Sequence, residues 1–259
     1  MIRRTLAITV HTFKECVRDK VLYNLIVFAL LLIGAAIVFG RISVGIQQII
    51  LVNLGLSSIS IFGLLMAIFI GISLVWKEIE RKTLYNVLSK PVSRAEFILG
   101  KYFGLFLTLL INTAIMTAGF YLALWIEKGR FEFADLAALE AVYFILLQFA
   151  IIVGLALLFS CVATPVLSGV FTVSLFVIGN FVDDIRWFGA HSGSGALSKM
   201  TLALYYLLPD MSRLNFISNA AHGMWAPRPL LIANSLYALL YVAVLVSASV
   251  LIFEERELL

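Results

Sequence analysis

The chain has 259 residues, of which 62% are apolar and 13% charged, with a formal net charge of +4 and a mean hydropathy of +1.05. An ordinary soluble domain is about 45–50% apolar even with glycine counted, and a domain of this size still needs a polar skin, so the composition excludes a soluble enzyme. The basic residues cluster at the ends of long apolar runs, without an aromatic-interleaved basic stripe, which is a membrane-topology pattern and not a nucleic-acid surface.

In chain order, Ile2, Leu6, Val10, Phe13 and Val17 share one helical face while Arg3, Arg4, Lys14 and Arg18 lie elsewhere. Residues 1–20 therefore read as an amphipathic interfacial helix, or more simply as a topology anchor. A signal peptide fits less well, because the following apolar run of about 20 residues exceeds the 7–15 of an h-region and no clear cleavage site follows. Apolar runs long enough for a bilayer core of about 30 Å then cover Val21 to Gly40, Ile42 to Trp76, Tyr102 to Ile126, Ala141 to Val182 and Pro229 to Phe253. The fourth is about twice the needed length and carries Thr164-Pro165 in its middle, so it reads as two spans joined by a tight turn. The fold class expected is all-α integral membrane. It has six transmembrane helices, the N-terminal amphipathic helix, and short external helices before the last span, in a single domain over 1–259.

Lysine and arginine counts near the span ends set the orientation. Lys77, Arg81, Lys82, Lys90, Arg94 and Lys101 mark the segment between spans two and three as cytoplasmic, as Arg3, Arg4, Lys14, Arg18 and Lys20 do for the N-terminus. The short loop after span one, with only Arg41, the Glu127 to Glu140 loop, with as many or more acids than bases, and the long, sparsely basic segment at 183–228 fall outside, and an even span count returns the C-terminus to the cytoplasm. Within 183–228, Leu197, Met200, Thr201, Leu204 and Leu208 recur at helical spacing before Pro209, so helices lying on the external membrane face are expected. Cys16 and Cys161 are too few for a disulfide framework, and His11, His191 and His222 form no metal-ligand set.

The stretch at 77–96 is more structured than a connector requires. Thr83 can N-cap a short helix over Leu84 to Leu88, Pro91 ends it, and Ser93 with Glu96 forms an S-x-x-E capping box at the start of span three. Such a helix either docks in a groove on another protein or dips its apolar residues into the headgroup layer. Glu80-x-x-Thr83-Leu84, then Leu88-x-x-Pro91-x-Ser93-Arg94, then Leu99-Gly100-Lys101, resembles the segment after the second span of ABC-2 type permeases, the membrane subunits of one class of ABC exporters. The nearest likeness is to the NosY-like branch, although Lys82 stands where many relatives have glycine.

This resemblance implies a half-transporter in the plasma (inner) membrane of a prokaryote, a homodimer of this chain working with two ABC ATPase subunits. Coupling to the ATPase would fall to Glu78, Glu80, Arg81, Thr83, Leu84, Leu88, Pro91 and Arg94. ATP and Mg would be bound by the partner, with no cofactor in this chain. Consistently, no G-x-x-x-x-G-K-[ST] occurs, and Gly100-Lys101 is followed by Tyr102 without the upstream glycine.

Inside the spans, Asn53, Asn112, Gln148 and Asn180 each need a polar partner, either on a neighbouring helix or along a translocation path. No charged residue lies deep in a predicted span, which argues against proton coupling. Gly63, Ala67 and Gly71 have the small-xxx-small spacing of close helix packing. The leading reading is the permease subunit of an ABC exporter, surrounded by membrane lipids and without nucleic-acid partners. An integral-membrane enzyme acting on lipid or isoprenoid substrates is the alternative, and a membrane scaffold without transport is the third.

Overall fold

The computed structural model describes residues 2–43, 45–80, 93–193 and 195–255, with side chains throughout except at Ile2, 73–80 and Glu255. Helix α1 (Ile2–Val17) leads into α2 (Lys20–Ile42), α3 (Gln47–Glu80) and α4 (Arg94–Lys128). A 3-10 turn at Phe133–Leu136 then precedes α5 (Ala137–Val162), α6 (Pro165–Asn180), α7 (Val182–His191) and α8 (Gly195–Leu207). A second 3-10 turn at Ser212–Leu214, the short α9 (Ile217–Ala221) and α10 (Arg228–Glu255) complete the chain. No strand occurs among the described residues, so the protein is an all-α membrane protein. The predicted short helix at Leu84 to Leu88, its Thr83 cap and its Pro91 stop lie outside the described residues.

Five helices are long and apolar enough to cross a membrane, namely α2, the Gln47–Ile72 part of α3, α4, α5 with its preceding turn, and α10. The pair α6 and α7, bent by 56°, makes a sixth when taken as one span. The expected division at Thr164-Pro165 is present: α5 ends at Val162, and Pro165 opens α6 behind an extended Thr164. Proline suits that first position because its missing N–H would have no helical partner. Helix α6 has 16 residues, about 24 Å at 1.5 Å per residue and less than the bilayer core. It stops at Gly179-Asn180, where Asn180 Nδ2 donates to Phe176 O at 2.8 Å and the Phe181 N–H turns back to Ile178 O at 2.9 Å.

The two ends of the bundle are distinct. At one end Phe97, Ile98, Cys161 and Phe253 form a cluster that joins the starts and finishes of α4, α5 and α10, and α1 packs on the same part of α4. At the other, Arg41 Nε meets Glu127 Oε2 at 3.0 Å, and the Ala226 N–H donates to Glu140 Oε1 at 3.1 Å. The final helix thus begins at the end opposite α1 and finishes beside it.

Helix α5 occupies the centre, packed against α3, α4, α6 and α10. Its sequence is apolar on every side apart from Gln148, Ser160 and its first turn, the pattern of a helix with neighbours all round. Helix α2 instead buries a single stripe, Leu22, Ile26, Ala29, Ile33, Ala36 and Gly40, and leaves Val27, Phe28, Leu31 and Val38 exposed. Lipid tails tolerate that apolar exterior as water would not.

The expected small-residue stripe of α3 lies against α5. A Cβ on Gly63 would collide with the buried ring of Phe149, and one on Gly71 would come 3.0 Å from the Ala156 Cβ. Gly63→Val should therefore destabilise the fold by about 2 kcal/mol through overpacking, measured as a lowered midpoint in denaturing-detergent titration. Gly34→Ala, with no atom within 4 Å of its new methyl, should be neutral or slightly stabilising, because alanine favours helix.

Candidate functional site

The region that joins the 81–92 segment to the bundle is built around the first turn of α4. Ser93 is extended (φ −74°, ψ 152°) and caps the helix: its Oγ accepts from the Glu96 N–H at 3.2 Å, while its own N–H donates to Glu96 Oε2 at 3.0 Å. The capping box read from the sequence is present. Between its two members, the Arg94 guanidinium reaches across to the last turn of α10 and donates to Phe253 O at 2.9 Å and Glu254 O at 2.6 Å. One turn on, the Phe97 and Phe253 rings stack with centroids 5.7 Å apart.

Helix α1 is attached to the same stretch of α4. Cβ atoms placed on Gly100 and Gly104 would strike Ile8 and Thr12, and the buried Cys16 lies near Thr108 one turn further on. The matched steps of four residues, 8 with 100, 12 with 104 and 16 with 108, mean that the two helices run side by side in the same direction. Lys101, 1% exposed, lies in this seam with its Nζ 3.6 Å from Glu15 Oε2 and 5.8 Å from the Phe97 ring centroid. Gly100-Lys101 is thus part of a helix–helix contact.

Of the residues singled out for coupling, Arg94 takes the place just described. Glu78 and Glu80 fall on the last turn of α3, with side chains outside the described set. Arg81, Thr83, Leu84, Leu88 and Pro91 lie outside the described residues altogether. The four amides do not gather at one place. Asn112 is buried and donates to Met66 Sδ at 3.7 Å, Gln148 is buried and donates to Met211 O at 3.1 Å, Asn180 bonds its own helix, and Asn53 is half-buried in α3.

The Gln148 bond leads to a feature that sequence reasoning missed. The 207–213 segment, expected on the external membrane face, packs into the bundle alongside α5, the end of α6 and α10. The Met211 N–H donates to Gly179 O at 2.9 Å, the Asp210 N–H to Tyr237 Oη at 2.8 Å, Tyr241 Oη to Leu207 O at 3.0 Å and Asn234 Nδ2 to Arg213 O at 2.7 Å. Irregular backbone inside a membrane protein needs such partners, because lipid supplies none.

At the centre of this segment Asp210, 3% exposed, accepts from Arg213 Nε at 2.6 Å and from Ser212 Oγ at 2.6 Å. Arg213 also bonds Tyr205 Oη, and its guanidinium lies 5.6 Å and 5.5 Å from the Tyr205 and Tyr237 ring centroids. Burial works against its charge, but the Asp210 hydrogen bond and the adjacent Tyr205 outweigh it and raise its pKa above the usual arginine value. The signal available in the sequence was Pro209-Asp210 followed three residues later by Arg213, a self-pairing charge set between apolar stretches.

Asp210→Ala should cost about 2 kcal/mol, below the 3–5 kcal/mol of a fully buried pair because Arg213 is part-exposed. Asp183→Ala, which removes one 3.3 Å bond at an exposed site, should stay within about 0.5 kcal/mol. Thermal unfolding of the two variants side by side checks the difference.

Comparison with curated proteins gives no match. Comparison with protein families gives one that covers almost the entire chain, with residues 6–258 matching the family described as ABC-2 family transporter protein. Its extent, together with the all-helical membrane architecture, means that the chain belongs to the ABC-2 transporter family as a multi-pass membrane subunit.

Proposed function

We propose that this subunit forms the translocation path of an ATP-driven exporter as a homodimer, coupled to two copies of a separate ABC ATPase that bind ATP and Mg. The observation that carries this reading is the junction at Ser93, Arg94 and Glu96. Any displacement of the 81–92 segment is delivered through the capped first turn of α4 to the end of α10 by way of Arg94, and to α1 by way of the Gly100–Gly104 seam. Helix α3, 34 residues long, enters the same segment from the other side. Alternating access then follows when ATP-driven closure of the partner biases two arrangements of these helices. The path would run between the two copies; of the amides expected along it, Asn112 and Gln148 are buried within the protomer against Met66 and Met211, which leaves the half-buried Asn53 and Asn180 as its candidate polar contacts.

In this reading the α1 end faces the cytoplasm of a prokaryotic cell, as the concentration of lysine and arginine there supports. Single cysteines at Ser89 and Ser194 should react with a membrane-impermeant maleimide from opposite sides. The native thiols contribute little background, since Cys16 and Cys161 are buried and burial pushes the Cys16 thiol up to about 11. Labelling of both engineered sites from the outside contradicts the orientation.

The coupling itself is tested by Leu84→Asp and Glu80→Lys. An unpaired carboxylate buried in an apolar docking groove costs several kcal/mol, so Leu84→Asp should lower copurification of the ATPase at least tenfold while the permease still expresses and dimerises. Wild-type association in both variants reduces the 81–92 segment to a surface loop.

A further inference from the structure

The backbone that follows α8 is irregular and charged, and three membrane-crossing helices measure its depth. Gln148, which bonds Met211 O, is eight residues past Glu140 on α5, about 12 Å at 1.5 Å per residue. Tyr237, which bonds the Asp210 N–H, is nine residues past Arg228 on α10, about 14 Å. From the other end, Gly179 O, which accepts from the Met211 N–H, is fourteen residues past Pro165 on α6, about 21 Å into a core of about 30 Å. All three place Asp210 and Met211 roughly 10 Å inside the end of the bundle where Glu140 meets Ala226. Helices α7 and α8, which touch where Gly189 meets Thr201, therefore form a hairpin that returns into this half of the membrane.

Charge at such a depth faces a partner or water, because lipid serves neither. Asp210 has its partners, Ser212 Oγ and Arg213 Nε, and is buried with them. Arg213 keeps 40% of its side chain exposed, and its Nη1 has no hydrogen-bond partner among the described residues. Arg186, exposed on α7, has no ion pair among the described residues and lies over the same Tyr205 ring whose hydroxyl Arg213 bonds. At 4.6 Å and 5.6 Å from that ring centroid, the two guanidiniums are at most about 10 Å apart. The groups left open are donors, namely Arg213 Nη1, the Arg186 fork and the Tyr205 O–H. Asp183 is the acid on this flank, and it accepts from Ser212 Oγ at 3.3 Å. Asp184, two residues before Arg186, is turned about 160° away around α7.

We infer that Arg186, Tyr205 and Arg213 line a water-filled vestibule in this half of the membrane and bind an oxyanion group, a carboxylate, phosphate or sulfate, of a water-soluble solute. The depth requires water around Arg213, the open donors require an acceptor, and a guanidinium fork fits the paired oxygens of such a group. Identification of the solute as cargo rests on the proposed transport function. Binding itself is measured without ATPase or nucleotide, so its failure leaves the coupling reading untouched.

The test is modification of the full-length permease in phosphatidylcholine nanodiscs by p-hydroxyphenylglyoxal, an arginine reagent, with the sites identified by peptide mass spectrometry. Arg186 should react. Inorganic phosphate or sulfate should slow its reaction about threefold relative to chloride at equal ionic strength, as two-thirds occupancy requires by mass action. Arg130, 79% exposed in its pair with Glu132, should show no such protection. Asp210→Asn combined with Arg213→Gln removes both charges of the buried pair together and should abolish the protection of Arg186. Asp183→Asn removes the competing acid and should strengthen it. An unreactive Arg186, covered by lipid or by a second copy, overturns the inference, as does equal protection by phosphate and chloride or unchanged protection in the double variant. Protection by phosphatidylglycerol in the disc but not by the soluble ions overturns it in favour of a lipid headgroup. If the double variant lowers the thermal midpoint, Asp183→Asn decides, and unchanged protection there overturns the inference.

Discussion

Two carbonyls at the end of α10 and one guanidinium at the start of α4 set the terms for the rest of the molecule. The last four carbonyls of any helix lack intrahelical partners. Arg94 supplies donors to two of them, and its positive charge suits the negative end of the α10 dipole. Because Arg94 is also the first residue after the Ser93 cap, the start of α4 is tied directly to the end of α10. Helix α1, sealed on α4 by Gly100 and Gly104, is drawn into the same unit.

Around that junction the bundle follows the logic of packing in lipid, where apolar surface alone drives no association and close backbone approach does. Gly63 and Gly71 let α3 settle on the central α5. Helix α1 shows the same logic in an unexpected place, since its contact face is Thr5, Ile8, Thr12 and Cys16, while Leu6 and Val10 remain exposed at 62% and 41%. The apolar face of α1 is thus left largely outside the packing against α4.

What the sequence made legible is what local physics decides. Span positions follow from run length against a fixed bilayer thickness, and the division of the long fourth run follows from Thr164-Pro165. The Ser93–Glu96 box is a three-residue pattern, and α8 was visible in the spacing from Leu197 to Leu204. The face by which α1 docks was hidden, because hydrophobic periodicity marks the stripe of Leu6, Val10 and Phe13, while the contact uses Ile8 together with threonines and a cysteine. The insertion of the 207–213 segment was hidden for a different reason: its partners are Gln148, Gly179, Asn234, Tyr237 and Tyr241, residues far away in sequence with nothing in Leu208-Pro209-Asp210 to announce them. Arg94 was legible as important from a family resemblance, but its hold on α10 depends on a contact 159 residues away.

The central claim of the proposed mechanism is that Arg94 makes the start of α4 and the end of α10 move as one body when the ATPase partner binds nucleotide. Pulsed electron–electron spin resonance between labels at the exposed positions Phe103 and Leu251, with labelled chains diluted among unlabelled copies in the assembled complex, measures this directly. The account predicts one narrow distance distribution that is the same without nucleotide and with ATP trapped, and a distribution that broadens or shifts in Arg94→Gln. A nucleotide-dependent change in the protein with Arg94 intact, or an Arg94→Gln distribution identical to it, would contradict the account.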